Sequence, residues 1–299
     1  MSSVIDDTPL LFDAEFLRKL ERLELLARKV FRGLIRGEHS TPRRGRGIEF
    51  ADFRRYRPGD DLRYIDWNIF ARLDRLFLKL YASEEDLTLH VLLDTSSSMS
   101  FGEPLKHDYA RQLAAALAYI GLSNLDRVSM YAFSDQIRAT LPPLKSKRQM
   151  SAVLDFLSAQ PHGGQTDFSQ PLKTFASQTS RSGLVVVISD LFGRSGFEAG
   201  LDVLRFAGHD VVVVQLLAEE EIDPPLDGAL ILVDAEDDAE LKVTVDAELR
   251  ALYQRRLQSL LDDTAAYCRR AGIEYLRAST AIAFEDVVLK YLRQGRLWR

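Results

Sequence analysis

Asp94-Thr95-Ser96-Ser97-Ser98 closes an apolar run, Thr88 to Leu93, with oxygen-bearing side chains at the alternating positions Asp94, Ser96 and Ser98. Such a loop can cradle a hard divalent cation. Hydroxyls contribute lone pairs without charge, and a single carboxylate leaves much of the ion's positive charge uncompensated. The same composition also builds plain turns and helix N-caps, because Asp and Ser side chains bond neighbouring backbone groups. Position separates the two uses. In an open parallel sheet, ligands bind beyond the carboxyl ends of the strands, where strand order reverses, and residues 94–98 follow a strand at that end. Two further loops carry matching chemistry. Gly163-Gly164-Gln165-Thr166-Asp167 precedes a helical pattern; its paired glycines permit an unusual backbone path and close approach, and Thr166 offers a hydroxyl. The β-branched run from Leu184 ends in Ser189-Asp190, which puts a second carboxylate in the topological position of Asp94. His162 borders the glycine loop, and a loop histidine with no special role is the simpler reading of it.

These loops need a sheet to bring them together. From Leu87 onward the texture alternates: strands at Thr88–Leu93, Arg127–Phe133, Leu184–Ile188, Val211–Leu217 and Ile273–Leu276, and helical patterns at Leu105–Leu122, Arg148–Ser158, Ser169–Gln178, Phe197–Phe206, Ala247–Ala271 and Phe284–Leu292. Apolar strands separated by helices indicate a mostly parallel sheet covered on both faces. Gln136–Leu141 follows its predecessor across a short Ser-Asp turn and reads as one antiparallel strand at the sheet edge, with Pro142-Pro143 breaking the chain after it. The fold class is therefore α/β, a doubly wound and mostly parallel sheet with one antiparallel edge strand, plus an N-terminal helical and β region. Residues 219–246 are acidic, include Pro224-Pro225 and short strand-like pieces, and read as an insertion.

Residues 1–86 are set apart as an N-terminal region, and 87–299 as the α/β domain. Phe16, Leu20, Leu23, Val30, Phe31 and Leu34 recur at helical spacing, so 12–34 forms an amphipathic helix that packs on the body of the protein. Arg43-Arg44-Gly45-Arg46-Gly47 reads as a basic loop. It opens a segment dense in Arg, Asp and aromatics, in which Pro58-Gly59 marks a turn and Arg54, Arg55, Arg57, Asp60 and Asp61 can interlock by charge-assisted bonds. The structural reading is a salt-bridged hairpin with Tyr64 and Trp67 packed below it. The functional reading gives these arginines an acidic partner or a phosphate.

Bulk composition favours no nucleic-acid or anionic-membrane partner, since 39 basic residues against 44 acidic give a net charge of -5. One cysteine, Cys268, permits neither an intramolecular disulfide nor a Cys-based zinc site, which suits a reducing cytoplasm. The N-terminus lacks the basic and apolar regions of a signal peptide, and no apolar stretch approaches the roughly 20 residues of a membrane span. The expected location is the cytoplasm, with a peripheral role at the inner membrane compatible with it.

Asp94-x-Ser96-x-Ser98, then Thr166, then Asp190, each at a strand or loop end, resembles the metal-ion-dependent adhesion site of von Willebrand factor A domains. That resemblance implies a six-stranded Rossmann-like sheet and a bound Mg²⁺, with Mn²⁺ or Ca²⁺ as substitutes. It also implies direct coordination by the serines and often the threonine, and aspartates that act largely through water. The interposed Gln165 departs from the usual Gly-Thr loop and puts the reach of Thr166 in question. The stretch Tyr56-Arg57-Pro58-Gly59-Asp60-Asp61 to Asp66-Trp67, directly before this domain, resembles the bacterial DUF58 family. Its members are often encoded beside MoxR-type AAA+ ATPases, which implies an adaptor or co-chaperone whose partner is such an ATPase or its client.

Enzyme readings fare worse. A phosphoryl-transfer hydrolase of the haloacid dehalogenase type needs an Asp two residues after Asp94, where Ser96 stands. No Gly-x-Ser-x-Gly elbow and no Gly-x-x-x-x-Gly-Lys-[Ser/Thr] loop is present. Nucleic-acid or phosphate binding through the arginine cluster finds no recognition-helix signature to support it. The expectation is a non-enzymatic module that binds an acidic side chain of a partner protein through Mg²⁺.

Overall fold

The computed structural model describes residues 11–35, 44–57, 60–82, 87–179, 181–193, 196–234 and 239–293. In chain order the elements are α1 (Ala14–Ile35), β1 (Arg44–Arg55), α2 (Trp67–Leu73), β2 (Phe77–Ala82), β3 (Thr88–Asp94), α3 (Lys106–Ser123), β4 (Arg127–Phe133) and β5 (Ile137–Leu144). They continue with α4 (Met150–Ser158), α5 (Ser169–Gln178), β6 (Leu184–Ser189), α6 (Glu198–Phe206), β7 (Asp210–Leu217) and α7 (Glu219–Ile222). The last are β8 (Gly228–Val233), β9 (Glu240–Val245), α8 (Ala247–Ala271), β10 (Glu274–Ser279) and α9 (Phe284–Arg293). The chain divides into two compact units, residues 1–30 with 87–299, and residues 31–86. Most of α1 therefore groups with the α/β unit.

In the larger unit a six-stranded sheet has the order β10-β7-β6-β3-β4-β5. All pairings are parallel except β4 with β5. The doubly wound sheet with one antiparallel edge strand is thus present, with the six strands that the von Willebrand A resemblance implies. Every residue of β3 and of β6 is buried, as strands covered on both faces must be. On one face α3 packs across β3, β4, β6 and β7. On the other, Phe168, Leu172 and Phe175 of the α5 region, Leu201 and Leu204 of α6, and Cys268 of α8 close over Leu92, Val185, Val187 and Val213. Helix α1 buries Phe16, Leu20, Leu23 and Ala27 at helical spacing. It meets α9 through the tilted ring pair of Phe16 and Phe284 and through an ion pair from Lys19 to Glu285. The side chains of Val30, Phe31 and Leu34 lie outside the described ones.

Pro142-Pro143 does not break the chain, as the sequence suggested; both residues belong to β5. They fall in a bulge, between the pairs Met130 with Leu141 and Val128 with Leu144. A strand at the sheet edge tolerates missing N–H donors because its outer side has no ladder to complete.

The smaller unit also differs from expectation. β1 pairs antiparallel with β2, from Phe53 opposite Lys79 to Arg55 opposite Phe77. The connection between them holds α2, so β1 and β2 are not joined by a tight hairpin turn; Asp60 N–H donates to the Arg57 carbonyl at 3.0 Å, and Pro58-Gly59 between them lie outside the described residues. Arg44 to Gly47 belong to β1, not to a loop, and Arg43 lies outside the described residues. Trp67 is 62% exposed at the start of α2. It is not packed beneath a hairpin, and meets Phe70 edge-on. Asp66 explains the helix start, since its carboxylate accepts from the N–H groups of Asn68 and Ile69.

His90 in β3 yields a pH prediction. It is buried, with Nδ1 2.7 Å from Ser129 Oγ and its ring edge-on to those of Phe175 and His209. Burial, and then the neighbouring His209, lower its pKa from 6.5 to about 4. The unfolded chain binds a proton at this position near 6.5 and the folded chain only near 4, so acidification between those values favours unfolding. The stability held in a neutral His90 is complete above about pH 6.5 and falls by on the order of 3 kcal/mol on reaching pH 4. Urea unfolding across that window is expected to show a shallower acid loss for His90→Gln than for the unaltered chain.

Candidate metal centre

Strand order reverses between β3 and β6: the chain leaves β3 towards β4 on one side and returns to β6 on the other. A crevice at the carboxyl ends of those two strands is where an open α/β sheet accepts a ligand. Asp94 ends β3 and Asp190 follows β6, so both carboxylates stand at this switch point. Both are fully buried, as is Ser96; Thr166 is nearly so.

Three loops are stitched together here. Ser97 N–H donates to the Gly164 carbonyl at 2.9 Å, and Gly163 N–H to the Thr95 carbonyl at 2.7 Å. These bonds fix the Ser-rich loop to the glycine loop, whose Gly163 and Gly164 take φ of +147° and +87°, values that L side chains rarely adopt. Ser189 Oγ donates to Asp94 Oδ2 at 2.6 Å, which ties the end of β6 to the end of β3. The methyl of Thr166 lies against Gly193, where an added Cβ would come within 3.4 Å of it and within 2.9 Å of the Phe168 ring. Gln165 is exposed while Thr166 is buried, so the interposed glutamine turns outward without carrying the threonine out of the site. Asp94, Ser96, Ser98, Thr166 and Asp190 are thus brought to one end of the sheet by loops in mutual contact.

Local bonds hold the candidate groups in place. Ser96 N–H donates to Asp94 Oδ1 at 2.9 Å, and the Ser96 and Ser98 hydroxyls lie 3.1 Å apart. Phe192 N–H donates to Asp190 Oδ1 at 3.0 Å, and Gln215 Nε2 to the Asp190 carbonyl at 2.8 Å. Leu191 holds φ of +63° directly after Asp190. That strained turn is retained because Leu191 is buried in the core and its N–H bonds Ser189 Oγ.

Electrostatics disfavour two ionised carboxylates side by side here. Burial, and then the charge of Asp190, push the Asp94 carboxyl up to about 7. Two buried carboxylates and two adjacent hydroxyls are oxygen groups of the kind that could hold Mg²⁺ with several retained waters. Among the described residues no group of three or more His, Cys, Asp or Glu is placed to hold a metal ion.

One part of the site was not foreseen. Lys106, the first residue of α3, is fully buried, and its Nζ donates to Asp190 Oδ2 at 2.7 Å and to Glu221 Oε1. Glu221 stands on α7, at the start of the segment read as an acidic insertion, and its other oxygen accepts from Ala218 N–H. Ser189, Lys106, Glu221 and Gln215 complete the surroundings of the five foreseen residues. Only Ser189, a hydroxyl next to Asp190, carried a sequence signal. His162 packs edge-on to His107 with ring centres 5.3 Å apart.

The arginine-rich segment of the smaller unit is partly engaged internally. Arg54 pairs with Asp60 at 2.8 Å, Asp60 also accepts from Arg57 N–H, and Asp61 is forked by Arg63. The side chains of Arg55 and Arg57 are exposed.

Several known proteins are similar to this chain over much of its length. An uncharacterized protein of Mycobacterium tuberculosis (strain ATCC 25618 / H37Rv) is 25% identical over 273 residues, spanning 90% of this chain and 86% of its own. An aerotolerance-related membrane protein from Bacteroides fragilis NCTC 9343, solved with multiple mutations to serines, aligns with a TM-score of 0.44 at 18% identity over 70% of this chain and 97% of that one. BatB from Bacteroides thetaiotaomicron, described as a conserved hypothetical protein, aligns with a TM-score of 0.44 at 13% identity over 70% and 98%. The family described as "Protein of unknown function DUF58" matches residues 52–260, from the β1–β2 pair through most of the α/β unit. By that match over more than half of its length, the chain belongs to the DUF58 family.

Proposed function

We propose that this protein is a non-enzymatic interaction module that holds a divalent cation at Asp94, Ser96, Ser98, Thr166 and Asp190 and binds an acidic side chain of another protein through it. The observation that carries the reading is the pair of fully buried carboxylates, Asp94 and Asp190, facing a hydroxyl-rich loop at the switch point of the sheet. The seryl and threonyl oxygens would serve as direct ligands, and the carboxylates would bind through water or through their free lone pairs. Mg²⁺ suits the set best, with Mn²⁺ or Ca²⁺ as substitutes. When bound, the ion supplies an electrophilic centre whose charge is incompletely balanced, so a carboxylate from outside completes it.

Ser96 stands where phosphoryl transfer would need an acid-base carboxylate, which favours binding over hydrolysis. The partner we propose is a MoxR-type AAA+ ATPase or its client, on the strength of family association. A cytoplasmic location, peripheral to the inner membrane if membrane-linked at all, fits that partner. Among the described residues no helix is long and apolar enough to cross a membrane.

Affinity capture from lysate tests this reading. The full chain is used in Mg²⁺, in EDTA at the same ionic strength, and as a folded Ser96→Ala/Ser98→Ala variant. A partner retained only by the unaltered chain in Mg²⁺ is the expected result. Identical capture in all three arms overturns the proposal, while loss on adding salt alone would point to charge-driven binding through the arginines.

A further inference from the structure

Lys106 is the largest fully buried side chain in the larger unit apart from its aromatics, and it sits inside the cation site. Lysine is almost never fully buried unless paired. Its pairing is unusual because the two carboxylates come from different loops, Asp190 after β6 and Glu221 after β7, while Lys106 itself opens α3. The Phe192 ring, 5.4 Å from Nζ, covers the ammonium, an arrangement that favours a cation over the ring face. Asp190 consequently has a partner on each oxygen, Lys106 on Oδ2 and Phe192 N–H on Oδ1.

We infer that Lys106 is a resident counter-ion that sets the affinity of the site for its divalent cation, an inference that rests on the cation-site reading above. An ammonium bonded to Asp190 repels an ion drawn to the same carboxylate, and burial keeps water from screening the repulsion. It therefore weakens cation binding in the isolated protein. The same charge serves the loaded site. By formal charge, the Lys106 ammonium, the three carboxylates of Asp94, Asp190 and Glu221, and a divalent ion sum to zero; without the ammonium the loaded site is negative and repels an acidic partner. Lys106 thus trades cation affinity for readiness to accept an outside carboxylate.

Calorimetric titration of Mg²⁺, with Mn²⁺ as a second probe, into the full chain tests this. Lys106→Met removes the charge at similar length and is expected to bind the ion at least about tenfold more tightly, a change of ~1.4 kcal/mol. Because that variant leaves Asp190 and Glu221 buried without a counter-ion, Lys106→Met/Glu221→Gln is measured beside it. The double variant is expected to bind more tightly than the unaltered chain by a smaller factor, since Glu221 lies beyond the lysine from Asp190. Equal or weaker binding by the variants, with clear binding by the unaltered chain, overturns the role of Lys106 and leaves the cation site standing. Binding by none of the three overturns the cation site as well.

Discussion

Asp190→Ala is expected to lower the unfolding free energy by about 3–5 kcal/mol in the absence of added cation, because it breaks a buried ion pair from one side. Lys106 would keep Glu221 as its remaining partner, and Phe192 N–H would lose its acceptor. Relief of the repulsion that raises the Asp94 carboxyl offsets part of the loss, which favours the lower end of that range. The pair of Arg205 with Asp202 is the natural control: its atoms are 3.1 Å apart but both side chains are more than a third exposed. Removing that pair is expected to cost no more than about 1 kcal/mol. Urea unfolding of both variants in EDTA makes the comparison. A loss at Asp190 no greater than at Asp202 would show that Lys106 finds other partners at little cost.

The double replacement Ser96→Ala/Ser98→Ala has the other large expected effect, and it falls on binding more than on folding. The two hydroxyls meet each other at 3.1 Å, and the Ser96 side chain also bonds the Asp94 carboxylate. The bonds that shape their loop come instead from Asp94 to Ser96 N–H and from the glycine loop to Ser97 N–H. Alanine at both positions preserves those bonds. Stability without cation is expected to fall by about 1–2 kcal/mol, from the hydroxyl that the Asp94 carboxylate loses, while cation binding is lost.

The parts of this site that could be read in the sequence are those written by strand ends. Asp94, Asp190 and Thr166 each follow a motif whose strand or glycine context is local, and the apolar runs that place them are continuous in the chain. Burial of a lysine is different. Lys106 opens an ordinary helix, and only the convergence of α3 with the loops after β6 and β7 gives its ammonium two carboxylates. Glu221 was hidden for the same reason, in an acidic stretch that read as an insertion. Pro142-Pro143 misled because proline forbids a ladder on one side of a strand only, and edge position is a property of the assembled sheet. In the smaller unit the ion pairs of Arg54 and Asp60 were legible from charge spacing. The exposure of Trp67 was not, because local sequence does not say whether an aromatic finds a surface to cover it.

Thermal unfolding of the full chain with and without Mg²⁺, compared with the Ser96→Ala/Ser98→Ala variant, bears most directly on the cation site. A ligand that binds only the folded state stabilises it by RT ln(1 + [L]/Kd). Even a weak site, with Kd about a tenth of the Mg²⁺ concentration used, yields about 1.4 kcal/mol and a measurable rise in Tm. The expected result is a saturable rise for the unaltered chain, reversed by EDTA and missing from the serine variant. The same rise in both proteins, or none in either at saturating Mg²⁺, would contradict a cation held at the ends of β3 and β6.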